Sequence, residues 1–224
     1  MTQLVILSGG LDSTSALALT LAGPDPHEDE RVAAISFDYG QRHRRELHAA
    51  AGVAGHYGIG HRVVELHGLL HGSALLGEAE VPEGHYAAES MKATVVQGRN
   101  LLFASVAIAS STSPGDTLVV GVHAGDHPVY PDCRPDFWHH LAELGKAYGV
   151  DVVAPFVNLS KAEVVKIGSR LGAPLHLTWS CYQGGERHCG RCGTCVERAE
   201  AFQLAGVADP TDYADPAYWK TATA

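Results

Sequence analysis

Hydrophobic and polar positions along the chain follow two alternating rhythms. Leu4-Val5-Ile6-Leu7 is a short unbroken apolar run that ends at Ser8-Gly9-Gly10, the pattern of a buried strand stopped by a turn. Residues 13–21 then read as a helix halted at Gly23-Pro24. The same alternation predicts strands over 31–37 and 62–66, with a helix over 44–57 between them. An irregular stretch from 67 to 94 follows, carrying Gly68, Gly72, Gly77, Pro82 and Gly84. Loops of that length in compact domains are functional or mobile. Order resumes with helices over 100–110, 135–148 and 161–171 and strands over 117–122 and 150–154. From about Asp209 the chain is aromatic but without period. Alternation of this kind predicts an α/β fold with a parallel sheet covered on both faces. No internal repeat is present.

Length and composition narrow the classes. A chain of 224 residues is long enough for one α/β domain with short appendages. The composition, 46% hydrophobic and 18% charged, is that of a globular protein. No apolar run approaches the roughly 20 residues of a membrane span, and no basic region precedes a signal-like segment. The expectation is a cytoplasmic protein without a membrane partner. A net charge of −9 argues against a nucleic-acid partner, because the densest basic cluster is only Arg42-His43-Arg44-Arg45. A small anionic substrate needs only a few placed cations.

The chemistry begins at Ser8-Gly9-Gly10-Leu11-Asp12-Ser13, between a strand and a helix start. Paired glycines let backbone approach a ligand without a Cβ clash. The amides beyond them open a helix, where the partial positive charge favours phosphate. Ser8, Ser13 and Thr14 add hydroxyls, and Asp12 is placed either to cap the helix or to hold Mg²⁺. No Gly-Lys-Ser/Thr follows, so this is not a Walker loop. The string resembles the pyrophosphate loop of the N-type ATP pyrophosphatases, which cleave ATP between its α and β phosphates.

Four of the five cysteines, Cys181, Cys189, Cys192 and Cys195, crowd into fifteen positions. Cys-x-x-Cys steps bring sulfurs within reach of one tetrahedral ion, and Gly190 and Gly193 permit the turns between them. Four thiolates close the coordination shell, which favours a structural Zn²⁺; Fe–S ligation uses the same residue type, and disulfide pairing is the alternative. The fifth, Cys133, reads either as a small buried hydrophobe or as a nucleophile.

Taken together, these residues resemble the 7-cyano-7-deazaguanine synthase family, the nitrile-forming branch of the pyrophosphate-loop enzymes. The resemblance rests on the loop, on Phe37-Asp38-Tyr39-Gly40-Gln41-Arg42-His43, on Gly98-Arg99-Asn100 and on Gly121-Val122 with Asp126. It continues through Tyr130-Pro131-Asp132-Cys133-Arg134, Ser160-Lys161-Ala162-Glu163 and Thr178-Trp179-Ser180-Cys181-Tyr182. One departure is Val96-Gln97-Gly98, where many members carry proline in the middle position.

The resemblance implies an adenine-nucleotide alpha hydrolase-like (Rossmann-like) fold over 1–175 and a zinc-binding segment with a tail over 176–224. It implies ATP with Mg²⁺, a structural Zn²⁺, ammonia, 7-carboxy-7-deazaguanine and a homodimer. Leu7, Ser8, Gly9, Gly10, Leu11, Asp12, Ser13, Thr14, Ser15, Ala16 and Leu17, with Asp38, Tyr39 and Gln41, are the expected ATP-binding residues. Asp12, Arg99 and Lys161 are the expected catalytic residues. Asn100, Asp126, Tyr130, Asp132 and Arg134 are expected at the substrate, Arg134 on its carboxylate and Asp132 on the guanine-like N–H groups. Cys181, Cys189, Cys192 and Cys195 are the expected metal ligands.

Other readings remain at this point. A paralogous ligase would join the same acid to another amine. A tRNA-thiolating enzyme would pair the loop with a reactive cysteine, against the acidic charge. A zinc-stabilised module that senses nucleotide without turning it over would release no AMP.

Overall fold

The computed structural model describes residues 1–23, 31–111 and 113–224. Five strands form one parallel sheet in the order β3-β2-β1-β4-β5. They are β1 (Thr2–Ile6), β2 (Arg31–Asp38), β3 (Gly60–Glu65), β4 (Asp116–Val119) and β5 (Val150–Val153). The connecting helices are α1 (Leu11–Leu21), α2 (Arg45–Tyr57), α3 (Arg99–Ala109), α4 (Pro135–Lys146) and α5 (Lys161–Arg170), followed by α6 (Gly193–Ala205) and the short α7 (Trp219–Ala222).

Strand side chains alternate between two cores, as period-two geometry requires. Leu4, Ile35 and Leu118 face a cluster that takes in Ala104 and Ala107 of α3 and Trp138 and Leu141 of α4. Their neighbours Val5, Ala34 and Val119 face the other cluster, with Leu11 and Leu17 of α1, Val53 of α2 and Val164 of α5. Each fully buried aliphatic side chain of this kind contributes about 1.5–3 kcal/mol of transfer free energy. Because β1 has β2 on one side and β4 on the other, the chain reverses its direction of travel across the sheet at β1/β4. Ligands of open α/β sheets bind outside the strand ends at such a point.

The boundaries differ from expectation where the backbone is most constrained. The first helix begins at Leu11, two residues early, because Gly9 and Gly10 complete the turn in the least possible length. Of the two stop residues, Gly23 lies past the end of α1 and Pro24 lies outside the described residues. The fourth strand ends at Val119 rather than 122. Val120 still donates to the Val153 carbonyl at 3.0 Å, and Gly121 then packs on the backbone of α1. Helix α2, by contrast, ends at Tyr57 as expected, and Gly58 beyond it, with φ 65°, is the left-handed cap.

The stretch from 67 to 94 has no regular element until a 3-10 turn over Glu89–Thr94, yet it is anchored. Arg42 N–H donates to the Leu75 carbonyl at 2.9 Å, and Ala74 N–H to the Ala93 carbonyl at 2.8 Å. Gly84 N–H donates to the Arg191 carbonyl at 3.0 Å, next to a bridge between Glu83 and Cys192. Leu75 and Met91 are buried. The missing proline before Gly98 is replaced by other restraints: Gly98 takes φ 70° as the N-cap of α3, and Arg99 N–H closes on the Val96 carbonyl at 3.2 Å.

Helix α6 is not visible as a period in the sequence. It buries residues around most of its circumference, including Glu197 and Arg198, so no polar stripe marks it. The Arg198 guanidinium donates to Thr178 Oγ1 (2.7 Å), Ser180 Oγ (3.2 Å), the Leu175 carbonyl (3.1 Å) and Thr211 Oγ1 (2.7 Å). It also lies 3.5 Å from the Asp209 carboxylate. One buried cation thus ties the segment 175–180 and the tail near 209–211 to the same helix. Each of the three guanidinium nitrogens thus has an acceptor at depth.

The turn after β1 predicts its own sensitivity. Gly9 has φ 81°, and a Cβ there would stand 2.1 Å from the Glu46 carbonyl oxygen and 2.7 Å from Ala50 N. Gly9→Ala is expected to cost about 3 kcal/mol through left-handed strain and overpacking together. For a chain of this size that lowers Tm by roughly 6–12 °C. Gly52→Ala, where an added Cβ meets nothing within 4 Å, is the control and leaves Tm unchanged or slightly higher. Thermal unfolding followed by circular dichroism reads both, and a wild-type Tm for Gly9→Ala would contradict the packing argument.

Candidate active site

The carboxyl ends of β1, β2 and β4 open onto one cavity of about 190 Å³. Its floor is the turn after β1. Ser13 Oγ lies 3.1 Å from Ser8 Oγ and accepts Ser8 N–H at 3.2 Å, while Gly10 N–H donates to Ser8 Oγ at 3.3 Å. Thr14 N–H makes the first helical bond, to the Gly10 carbonyl. The amides of the first turn, Leu11 to Ser13, therefore have no helical acceptor and leave a ready anion site. A Cβ on Gly121 would stand 2.7 Å from both Asp12 C and Ser13 N, so the end of β4 approaches this turn only as glycine. From the other side Trp179 N–H donates to the Gly9 carbonyl at 2.9 Å.

Charge is concentrated where α1, α5 and α6 converge. Ser160 and Glu163 form a capping box at the start of α5, which fixes Lys161 as its first helical residue. Lys161 Nζ reaches Asp12 Oδ2 at 2.7 Å and Glu197 Oε2 at 3.3 Å. Asp12 is not the cap of α1; that position is Gly10. Burial opposes ionisation of Asp12, but Lys161, His123 and Arg198 outweigh it and hold the carboxyl below its usual range. Burial likewise opposes the Lys161 ammonium, and Asp12, Glu197 and Asp126 overcome it, so its pKa is raised. Glu197 goes the other way, with burial raising its pKa despite Lys161.

His123 sits fully buried among these carboxylates. Its Nε2 is 3.4 Å from Asp126 Oδ2 and 3.8 Å from both Asp12 Oδ2 and Glu197 Oε1. The set His123, Asp126 and Glu197 has the spacing of a metal site. However, His123 Nδ1 accepts Gly125 N–H at 3.1 Å, and the Lys161 ammonium lies 3.2 Å from Nε2, so a cation already stands where a metal would have to bind. The cluster is a network of charges rather than a ligand set.

The opposite wall carries Tyr39, Arg99, Asn100, Phe103, Cys133 and Tyr182. Arg99 opens α3, and among the described residues its guanidinium makes one hydrogen bond, a long one of 3.5 Å to Tyr39 Oη. Among the described residues it has no ion pair within 4.0 Å. Burial opposes its charge, yet Tyr39, Tyr182 and Asp132 keep it firmly protonated. Burial raises the Tyr39 phenol well above its ordinary value, so it remains a donor. Cys133 is pushed up by burial and by Asp126 and Asp132, and Asn100 Nδ2 lies 3.6 Å from its sulfur. A thiol so held is a poor nucleophile near neutral pH.

The expected residues therefore divide. Leu7, Ser8, Gly10, Leu11, Asp12, Ser13, Tyr39, Arg99, Asn100, Asp126 and Lys161 line the cavity. Thr14, Ser15, Ala16 and Leu17 are buried on the core side of α1. Asp38 and Gln41 build the turn that presents Tyr39. Gln41 accepts Tyr39 N–H at 2.9 Å and donates to the Phe37 carbonyl and Glu46; Asp38 binds Gly40 N–H, Arg44 and His67. Asp132 accepts Asn100 N–H at 3.1 Å, capping α3. Arg134 is exposed, with its Nε donating to the His127 carbonyl, and it lies outside the cavity lining. Tyr130 lies behind the main cavity, its hydroxyl 2.7 Å from Thr94 Oγ1.

The four cysteines of 181–195 come together with all their sulfurs within 4.8 Å of one another. All five cysteines are free thiols. Cys189 and Cys195 Sγ are 3.9 Å apart, near the roughly 3.8 Å that a tetrahedral ion with about 2.3 Å metal–sulfur bonds requires. Arg191 and Cys192 N–H both donate to Cys189 Sγ, at 3.4 and 3.3 Å, the polarity expected around thiolate ligands. The cluster fits a structural metal. Tail residues close over it: Asp215 N–H donates to the Cys189 carbonyl at 3.2 Å.

Comparison with known proteins identifies the lineage. The sequence model of the family described as "Queuosine biosynthesis protein QueC" matches residues 2–206. The chain belongs to this family. It is 49% identical over 233 residues to the 7-cyano-7-deazaguanine synthase of Rhizobium rhizogenes K84, spanning all of this chain and 96% of that one. It has the same identity and coverage with the enzyme of that name from Rhizobium meliloti 1021. The synthase of Agrobacterium fabrum C58 is 47% identical over 232 residues. No helix among the described residues is long and apolar enough to cross a membrane.

His123, buried 3.8 Å from Glu197, stands just outside the cavity lining, while Glu197, Glu46 and Tyr182 border it; the sequence pattern assigned none of them a role there. Tyr182 stood inside the quoted Trp-Ser-Cys-Tyr string. Gly125 was the available signal for the first two, since a Cβ there would fall 2.6 Å from Glu197 Oε1 and 2.9 Å from the His123 ring.

A depressed carboxyl such as Asp12 adds stability above its unfolded pKa of about 4, and that contribution disappears as pH falls through the lower folded value. Lys161→Met removes the compensating cation and is expected to cost about 3 kcal/mol near pH 7. The gap to wild type should narrow toward about pH 4, as the stranded carboxylates take up protons. Thermal unfolding across that range measures it, and equal Tm values near pH 7 would show that Lys161 compensates nothing.

Proposed function

We infer that the chain is a 7-cyano-7-deazaguanine synthase that adenylates first a carboxylate and then an amide within this one cavity. The activity accords with family membership and with relatives of that name matched over nearly their whole length. The observation that carries the residue roles is the cavity's division. Free helix-turn amides and Lys161 stand on one wall, and the half-buried guanidinium of Arg99, with no carboxylate within 4.0 Å among the described residues, stands on the other.

Ammonia does not displace oxide from a carboxylate, so the acid must first acquire a leaving group. The 7-carboxylate, held by Arg99 through charge-assisted hydrogen bonds, attacks the α-phosphorus of ATP. A new P–O bond forms as the bond to pyrophosphate breaks, and pyrophosphate leaves toward the first turn of α1 and Lys161. Ammonia then adds to the acyl carbon; the C–O electron pair departs with AMP, and a proton is lost to give the amide. In the second round the amide oxygen attacks a second α-phosphorus. Loss of AMP and of the remaining N–H protons leaves the nitrile. Cys133, neutral and buried, has no part in the first activation.

Two ions accompany this reading. Asp12 Oδ1 is buried without a hydrogen-bond partner and is the oxygen we assign to the Mg²⁺ that travels with ATP, which would offset phosphate charge there. The four thiols we assign to one structural Zn²⁺, because a closed sulfur set leaves no open position for chemistry. The reading also carries a homodimer.

Product stoichiometry is the direct test. Each nitrile should be accompanied by about two AMP and two pyrophosphate, and synthetic amide offered in place of the acid should require about half that ATP, each activation being a separate event. ADP as the main product, or amide that is never converted, would refute the two-adenylation account; a stable conjugate to another amine would point to a paralogous ligase.

Elemental analysis should find about one zinc per chain. Cys192→Ser should lower the metal content and destabilise the segment that carries the cysteines, since metal-binding energy there is folding energy. Folded, active and metal-free protein would remove the zinc from the account.

A further inference from the structure

Behind the main cavity lies a second, smaller one of about 20 Å³, room for a single particle the size of a water molecule. Asp126, Tyr182, Thr194 and Glu197 border both cavities, so only these side chains separate an occupant of one from an occupant of the other. The remaining wall is aromatic and apolar, with Tyr86, Tyr130 and Val129. The hydroxyls of Tyr86 and Tyr130 are already engaged, with Glu200 at 2.8 Å and Thr94 at 2.7 Å. What these rings offer the cavity is their aromatic surface.

The charge around it is unequal. Asp126 has one ionic neighbour among the described residues, His123 at 3.4 Å. Glu197 is shared between Lys161 at 3.3 Å and His123 at 3.8 Å. Two carboxylates and three tyrosine rings suit a small cation, by charge and by the negative faces of the rings. The volume excludes a hydrated metal ion or a substituted amine, and an apolar wall gives little to a neutral water. Four N–H donors on one centre match acceptors that diverge from two carboxylates.

We propose that this side cavity is an ammonium-binding subsite, holding the nitrogen substrate against the wall of the reaction chamber, with Asp126 its principal anion. The proposal rests on the synthase reading, in which ammonia must reach the activated acyl carbon; the bound ammonium passes one proton to the Asp126 carboxylate as the freed ammonia moves to that carbon. It accounts for Asp126, which among the described residues has no lysine or arginine within 4.0 Å although it borders the cavity assigned to phosphate. It also places the nitrogen source apart from the nucleotide, so that both can be present at once.

The test is the dependence of the initial rate on ammonium chloride, at constant ionic strength and saturating acid and ATP. Asp126→Asn keeps the shape and removes the charge; Val129→Ile adds one methylene to the cavity and changes no charge. The ammonium KM should rise about tenfold or more in the first, the equivalent of about 1.4 kcal/mol, and severalfold in the second. The ATP KM should stay within about twofold in Val129→Ile. Acid-dependent exchange of labelled pyrophosphate into ATP, run without ammonium, reports adenylation alone. Wild-type protein without exchange would overturn the synthase reading and the subsite with it. Variants that exchange normally and keep a wild-type ammonium KM would overturn the subsite only, marking the cavity as an ordinary water hole. If Asp126→Asn loses exchange, Val129→Ile decides.

Discussion

Lys161 and Asp12 stand 149 residues apart in the chain and 2.7 Å apart in space, and the arrangement of the site depends on that meeting. The pair joins the first residue of α5 to the first turn of α1. It lies beside the glycine at which β4 leaves the sheet. An ion pair at this depth gives little net stability, because desolvation of both groups offsets their attraction. What it supplies is position: the cation cannot move from the pyrophosphate turn without stranding Asp12 and Glu197. On the proposed reading, phosphate would bring its negative charge to a turn where a fixed ammonium and free helix amides already wait, which is electrostatic preorganisation.

Much of this was legible from local pattern. A buried run ending in Ser-Gly-Gly announces a strand, a turn and a helix, and the structure builds them within two residues of expectation. What escaped has a common cause. Helix α6 buries Glu197 and Arg198, so its polar residues face inward and the amphipathic period disappears. His123 and Glu197 matter because of partners brought in by distant elements, and one sequence carries no record of those meetings. Asp38, Gln41 and Asp132 fall inside recognisable motifs, yet their side chains are consumed in holding backbone turns. A motif marks a neighbourhood, and only packing separates the residue that faces the ligand from the one that holds it in place.

The cysteine segment belongs to the same construction. Arg198, fully buried, fastens 175–180 and the tail to α6, while Trp179 N–H fastens that segment to Gly9. A metal holding Cys192 and Cys195 at the start of α6 would therefore fix the helix that carries Glu197 into the charge network. The cysteine cluster and the cavity are coupled through one helix and one loop.

The central claim is that substrate oxygen, not water, attacks the α-phosphorus in this cavity, and isotope transfer tests it most directly. Acid labelled with ¹⁸O at both carboxylate positions should pass one labelled oxygen to AMP in each of two activations, leaving none in the nitrile. Mass spectrometry of AMP after complete turnover should then find a single ¹⁸O in essentially every molecule formed. Unlabelled AMP, with the label retained in product or released to solvent, would contradict adenylation, and with it the roles of Arg99, Lys161 and the turn after β1.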